Sequence, residues 1–331
     1  MHFMAYVILA ISVLLNRVYA TEPERMLYAN HWMIIEDEIG AYGKLTLDHI
    51  NNRLVATHNE ANTVDFFDIK RNELFVRVSV GAAVDSVYSA VLGNYYISTS
   101  KNRIAIISGK TCKLTGFIAV PDKCGEMCLI NGLKKLLVLN PKGNSVWIID
   151  LISRKIISEI HLGGRPRCIQ LNDVTHLAYI GLPSEKEIIC IDSQNLSVVS
   201  RMPTGAVAAQ SLALDTKNDC LFVAGVDGNL AELNLTNGRV LSLIEIPQGV
   251  LQICYDNTLK RIYCASPDWL IVVNENTGTM MIIDRIYTAT GATNVAVDLK
   301  SHAVWTTFTD GEDSYAKSYA PSIFLDDRMR Y

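Results

Sequence analysis

One short strand returns seven times along this chain, about 41 to 44 residues apart. Its first residues are Leu54, Tyr95, Leu136, Leu177, Leu221, Ile262 and Val304, in LVAT, YYIS, LLVL, LAYI, LFVA, IYCA and VWTT. The steps are 41, 41, 41, 44, 41 and 42 residues. A period of this length, built from short apolar strands and turn residues, is that of a β-propeller blade. The spacing therefore predicts an all-β, seven-bladed propeller of four-stranded blades. It says little about activity, because one fold carries many unrelated functions.

Two further series keep the same period. A turn before each innermost strand carries Gly40, Gly81, Gly163, Gly205, Gly249 and Gly291, with Asp122 filling the one missing slot. Short polar residues that open tight turns recur as Asp68, Ser108, Asp150, Asp192, Asn234 and Asn274. Blade three reads most clearly: MCLI, KKLLVLN, NSVWIID and KIISEIHLGG, separated by turns. Near-continuous Val, Ile and Leu runs suit strands packed between neighbouring sheets, as does the 49% hydrophobic content. The segment HWMIIEDEIG (31–40) ends on the first glycine of its series, so it corresponds to a fourth, outermost strand. Its three partners lie near the C-terminus, from about Asn294 to Tyr319. The N-terminal strand is thus expected to complete blade seven and leave no large sheet edge open.

Residues 1–20 differ in kind. An apolar stretch from Phe3 to Leu15 precedes Val18-Tyr19-Ala20, a pattern that fits a signal peptide cleaved after Ala20. The stretch is short for a bilayer span. Export to a secreted or periplasmic location is the expectation, with residues 21–331 forming a single propeller domain and no stable membrane span after cleavage. The net charge of −4, with both signs scattered and no basic stripe, argues against a nucleic-acid partner. Eight cysteines lie in the mature part, six of them in or beside strands, where cysteine behaves as a small buried apolar residue. Disulfides among them stay open.

The segments NNRLVATHNEANTVDFFDIKRNELFVRVSVG (51–81) and KKLLVLNPKGNSVWIIDLISRKIISEIHLGGRP (134–166) resemble the YVTN-type β-propeller repeat of the WD40-like superfamily. The resemblance spans roughly residues 30 to 320 and drifts in blades two, six and seven. It implies a seven-bladed propeller outside the cytoplasm, and no single activity.

A few residues past each turn, the chain is expected to point into the mouth of the central channel. Those positions are Lys44, Asp85, Glu126, Arg167, Gln210, Gln252 and Asn294, and Arg165 lies beside them. All are polar. Arginine's planar fork suits carboxylate or phosphate, so Arg165, Arg167 and Lys44 are candidates to grip a small polar or anionic ligand or a peptide end. Asp85, Glu126 and Asn294 offer oxygen ligands for a hard divalent cation. A water-filled channel also favours polar side chains without any ligand. The histidines do not converge on the mouth, and no nucleophile elbow, HExxH motif or phosphate loop is present. The leading expectation is a non-catalytic exported binding module, without a cofactor, whose partner is an unidentified protein or a small polar or anionic ligand. Two alternatives stand beside it. One is a lactonase-like hydrolase using Asp85 or Glu126 with Arg167, and the other a docking subunit of an exported redox complex of the amine dehydrogenase type.

Overall fold

A computed structural model describes residues 25–36 and 38–324. The signal-peptide expectation for residues 1–20 lies outside them. Seven antiparallel four-stranded sheets form the blades. Six follow in chain order: Tyr42–Ser79, Ala83–Ala119, Met127–His161, Cys168–Pro203, Ala209–Glu245 and Gln252–Tyr287. The seventh joins Ala296–Val297, Val304–Asp310 and Asp313–Pro321 to the N-terminal strand Leu27–Ile35. In each blade the first strand faces the central channel and runs from the mouth, the upper face, to the lower face.

The turn series have physical causes. All six recurring glycines have φ between +68° and +133°, the region that penalises a Cβ. At Gly40 a Cβ would also meet Glu60 Cβ at 3.0 Å. Asp68, Asp192 and Asn234 each accept hydrogen bonds on Oδ1 from two backbone N–H groups two and three residues on. Asn274 departs from the expectation: its strand continues to Asn276, and the turn falls at Asn276–Thr279. An unanticipated series closes each innermost strand. Asp48, Asn172, Asp215 and Asp256 cap their own turns through Oδ1. Three of them also reach the next blade through Oδ2: Asp48 accepts from Tyr95 Oη at 2.5 Å, Asp215 from Tyr255 Oη at 3.0 Å, and Asp256 meets His302 Nδ1 at 2.6 Å.

Seven apolar clusters lie one between each pair of neighbouring blades, and a small eighth gathers Ala289, Ala292 and Phe308. The closing strand serves two of them. Leu27 packs with Tyr263 and Ile286 against blade 6, whereas Met33 and Ile35 pack with Leu45 and Leu54 against blade 1. In a regular strand these three odd-numbered residues would share one face. A one-residue bulge between Ala29 and Trp32 reverses the parity and sends them to opposite sides.

The junction between the closing strand and blade 1 is polar and buried. Asp65 accepts from Thr63 Oγ1 at 2.9 Å, Arg77 Nε at 3.1 Å and Tyr42 Oη at 3.2 Å, and it meets His58 Nδ1 at 3.1 Å. His58 Nε2 lies 3.1 Å from the Gly40 carbonyl, which also accepts from Thr309 Oγ1 of blade 7 at 2.8 Å. Arg77 reaches on to Glu38. Removing the carboxylate strands these donors, and breaking a buried pair costs about 3–5 kcal/mol. Asp65→Ala is therefore expected to lower the unfolding midpoint in denaturant by a corresponding amount, whereas Asp68→Ala, in an exposed turn, should shift it far less.

The candidate site at the channel mouth

An innermost strand pairs on one edge only, and its channel edge would leave backbone N–H groups unsatisfied. The polar residues at the mouth answer this need. Asp85 of blade 2 accepts from Met127 N of blade 3 at 2.8 Å, and Glu126 of blade 3 accepts from Ile169 N of blade 4 at 3.4 Å. Ser211 Oγ of blade 5 accepts from Ile253 N of blade 6 at 3.1 Å. Gln252 of blade 6 accepts from Val295 N at 3.4 Å and pairs across to blade 1, taking Leu45 N at 3.2 Å and donating to Leu45 O at 3.1 Å. This longer reach passes over blade 7, whose innermost strand has only two residues.

Lys44 completes the arrangement, its Nζ 2.9 Å from Glu126 and 3.6 Å from Asp85. Burial works against its charge, but the two carboxylates outweigh burial and hold Lys44 above its ordinary pKa. Burial pushes Asp85 up, and the charge of Glu126 adds to this. Lys44 and the Met127 and Ser86 N–H groups oppose it. Lys44, Glu126 and Gln252 line both an upper cavity of about 190 Å³ and a lower one of about 350 Å³, so they partition the channel. Below them the walls are mixed, with Thr46, His49, Gln170 and Ser211 among Leu47, Ile169, Leu212 and Val297.

Five of the residues expected at the mouth have partners within the protein. Lys44, Asp85, Glu126 and Gln252 are tied to one another or to neighbouring blades. Asn294 is buried within blade 7, its amide bonded to Thr307 N at 2.8 Å, Thr307 Oγ1 at 3.1 Å and Thr307 O at 3.2 Å. The trio Asp85, Glu126 and Asn294 does not converge: a lysine ammonium sits with the two carboxylates, and the Asn294 amide is committed elsewhere. Among the described residues, no three of His, Cys, Asp and Glu cluster as metal ligands. Gln210 is buried at a bulge in the innermost strand of blade 5 and lines neither cavity.

Arg165 and Arg167 remain. Both are exposed, and neither has a carboxylate within 4.0 Å among the described residues. They border a groove of about 780 Å³ on the upper face, over blades 2 to 4, together with Lys123, Lys142, Ser100 and Asn144. Asp122 lies there too, but Lys142 neutralises it at 2.6 Å. The groove also touches Cys124, whose thiol burial pushes up to about 12, so it is no nucleophile at neutral pH. Sequence reading missed Lys123 and Lys142, because their turns approach each other only once blade 3 is folded. All eight cysteines are free thiols, and seven are buried.

No family model matches the chain. It is 23% identical over 195 residues to an uncharacterized protein, YncE, of Escherichia coli O157:H7, covering 53% of this chain. The chain spans about half, 55%, of the length of that relative. Among solved structures it superposes on U3-55K with a TM-score of 0.75, and on the RRP9 WD40 repeats with 0.76. Each is 8% identical; the matches cover 88% of this chain and 98% and 99% of those chains. The chain folds as a seven-bladed β-propeller. At 8% identity the structural likeness carries the fold alone, and the site stands on its own geometry. No helix among the described residues is long and apolar enough to cross a membrane.

Replacing Lys44 by Met leaves Asp85 and Glu126 facing each other uncompensated. The expected loss at pH 7 is about 3 kcal/mol, at the low end for a broken buried pair because Lys44 keeps part of its side chain exposed. The loss should shrink as pH falls and Asp85, which burial pushes up, takes up a proton. Denaturant unfolding of both proteins at neutral and acid pH measures this. A loss of equal size at both would count against the partition as an electrostatic unit.

Proposed function

We propose that this propeller is a non-catalytic interaction module that takes an acidic segment of a protein partner into the upper groove, through Arg165 and Arg167. The propeller fold supports a binding or scaffold role. The observation that carries the finer reading is the pair of exposed arginines without carboxylate partners among the described residues, beside Lys123 and over a groove of about 780 Å³. Guanidinium forks bind carboxylates in two-point fashion, and charge-assisted bonds are the stronger ones. Lys44, the third cation of the sequence reading, takes no part, because Glu126 and Asp85 hold it. Export is part of the proposal and rests on residues 1–20 alone. A hydrolase would need a free general base, and both carboxylates at the mouth are ion-paired and bonded to backbone. No observation favours it, or a redox docking role, over the binding reading.

The test is fluorescence anisotropy with a labelled hexaglutamate peptide. Wild type should bind, and added salt should weaken binding because the groove is open to solvent. The Arg165→Ala/Arg167→Ala double variant should bind about tenfold or more weakly, since bonds to charged groups are worth about 1.5–3 kcal/mol each. Equal binding by both proteins, or none by wild type, overturns the reading.

A further inference from the structure

The lower face has a feature that the upper-groove reading does not use. The turn after each innermost strand repeats seven times, and its second residue projects outward. In blades 1, 2 and 4 that residue is Ile50, Val91 and Val174; in blade 3 Gly132 holds the position and Leu133 follows it. Leu299 lies in the same turn of blade 7, and Ile152 in the outer turn of blade 3 on the same face. These six aliphatic side chains are between 40% and 80% exposed. Blades 5 and 6 carry Lys217 and Thr258 at the repeated position, so the aliphatic tips form an arc over one side of the ring. The rigid turns that hold them give no structural reason for apolar tips: the caps beneath are made by Asp48, Ser89 and Asn172.

Cations stand among the tips. Lys300, Lys70, Lys110, Lys134 and Arg154 are exposed in the lower turns of blades 7, 1, 2 and 3. Most carboxylates at this level, such as Asp48, Asp68 and Asp150, turn back to cap their own turns; Asp173 is exposed. The chain also enters the fold here. Leu27 pairs with Pro321 at the lower end of blade 7, so the described part of the chain begins on this face.

We propose that the lower face is a docking surface for an anionic lipid bilayer. The aliphatic tips of blades 7 and 1 to 4 enter the interface, and the lysines and arginine among them meet the headgroups. Aliphatic tips amid cations are the combination that binds a charged membrane surface. With the lower face on the bilayer, the Arg165–Arg167 groove points away from it and stays open to a partner. The docking does not depend on what occupies that groove.

Co-flotation of the full chain with lipid vesicles tests this. Wild type should float with vesicles of phosphatidylcholine and phosphatidylserine, less with phosphatidylcholine alone, and less as salt is added. The triple variant Ile50→Ser/Val91→Ser/Val174→Ser should partition about tenfold or more weakly, with its thermal unfolding unchanged. Val199→Ser/Met281→Ser, which alters equally exposed apolar residues on outer strands, should float as wild type does. Three outcomes overturn the proposal. One is a triple variant that partitions as wild type does, which would assign the binding to the N-terminal stretch. Another is a wild type that ignores anionic vesicles. The third is a wild type that ignores them yet self-associates in a manner the triple variant abolishes, which would assign the arc to protein contact.

Discussion

Everything in this molecule depends on the pairing of Leu27–Ile35 with Asp313–Pro321. Each blade buries its two faces against its neighbours, so a ring of seven has seven interfaces only if it closes. Among the described residues the strand that closes it is the first and its partner the last, which ties some 290 residues into one loop. The bulge at Ala29–Trp32 makes the closure a packing event as well as a hydrogen-bonded one. One strand plugs Leu27 into the interface with blade 6 and Met33 and Ile35 into the interface with blade 1. The Asp65–Arg77–His58 cluster and the Gly40 carbonyl then fix the angle at which the chain leaves blade 7 for blade 1.

Closure brings seven unpaired strand edges around one axis, and the polar residues at the mouth follow from that. Asp85, Glu126, Ser211 and Gln252 each take a backbone N–H of the following blade, and Lys44 compensates the charge that two of them bring. The result is a partition across the channel, and the recognition proposed here lies on the faces instead of the axis. The upper face offers a cationic groove, and the lower face an aliphatic and cationic arc. The two face opposite ways, an arrangement suited to a module that bridges two things.

The architecture could be read from the sequence because it is periodic. The strands, the turn glycines and the Asp68 and Asp192 caps are local chemistry repeated at a fixed interval, and local chemistry is what a sequence displays. Even the closing strand was legible, since its glycine at Gly40 kept the register. The site was half legible. The recurrence of polar residues at Lys44, Asp85, Glu126 and Gln252 is periodic and so legible, but their partners are not. Whether a carboxylate faces solvent or a neighbouring blade's N–H depends on the gap between blades, which no single blade encodes. Asn294 is a related case: the innermost strand of blade 7 is so short that this residue, two before it, takes the place of strand pairing with Thr307. The Asp48 series and the aliphatic tips at Ile50, Val91, Leu133 and Val174 share the same period and were visible in principle. They pass unnoticed in a reading that looks for function only at the mouth.

Hydrogen exchange measured by mass spectrometry on peptides spanning residues 27–35 and 313–321 tests the ring closure most directly. If the closing strand is integral to the ring, both peptides exchange as slowly as the strands of blade 3, and both become labile together with them as denaturant is raised. Rapid exchange in 27–35 while blade 3 stays protected would contradict the account, because the N-terminal strand would then be an appendage and the ring would hold without it.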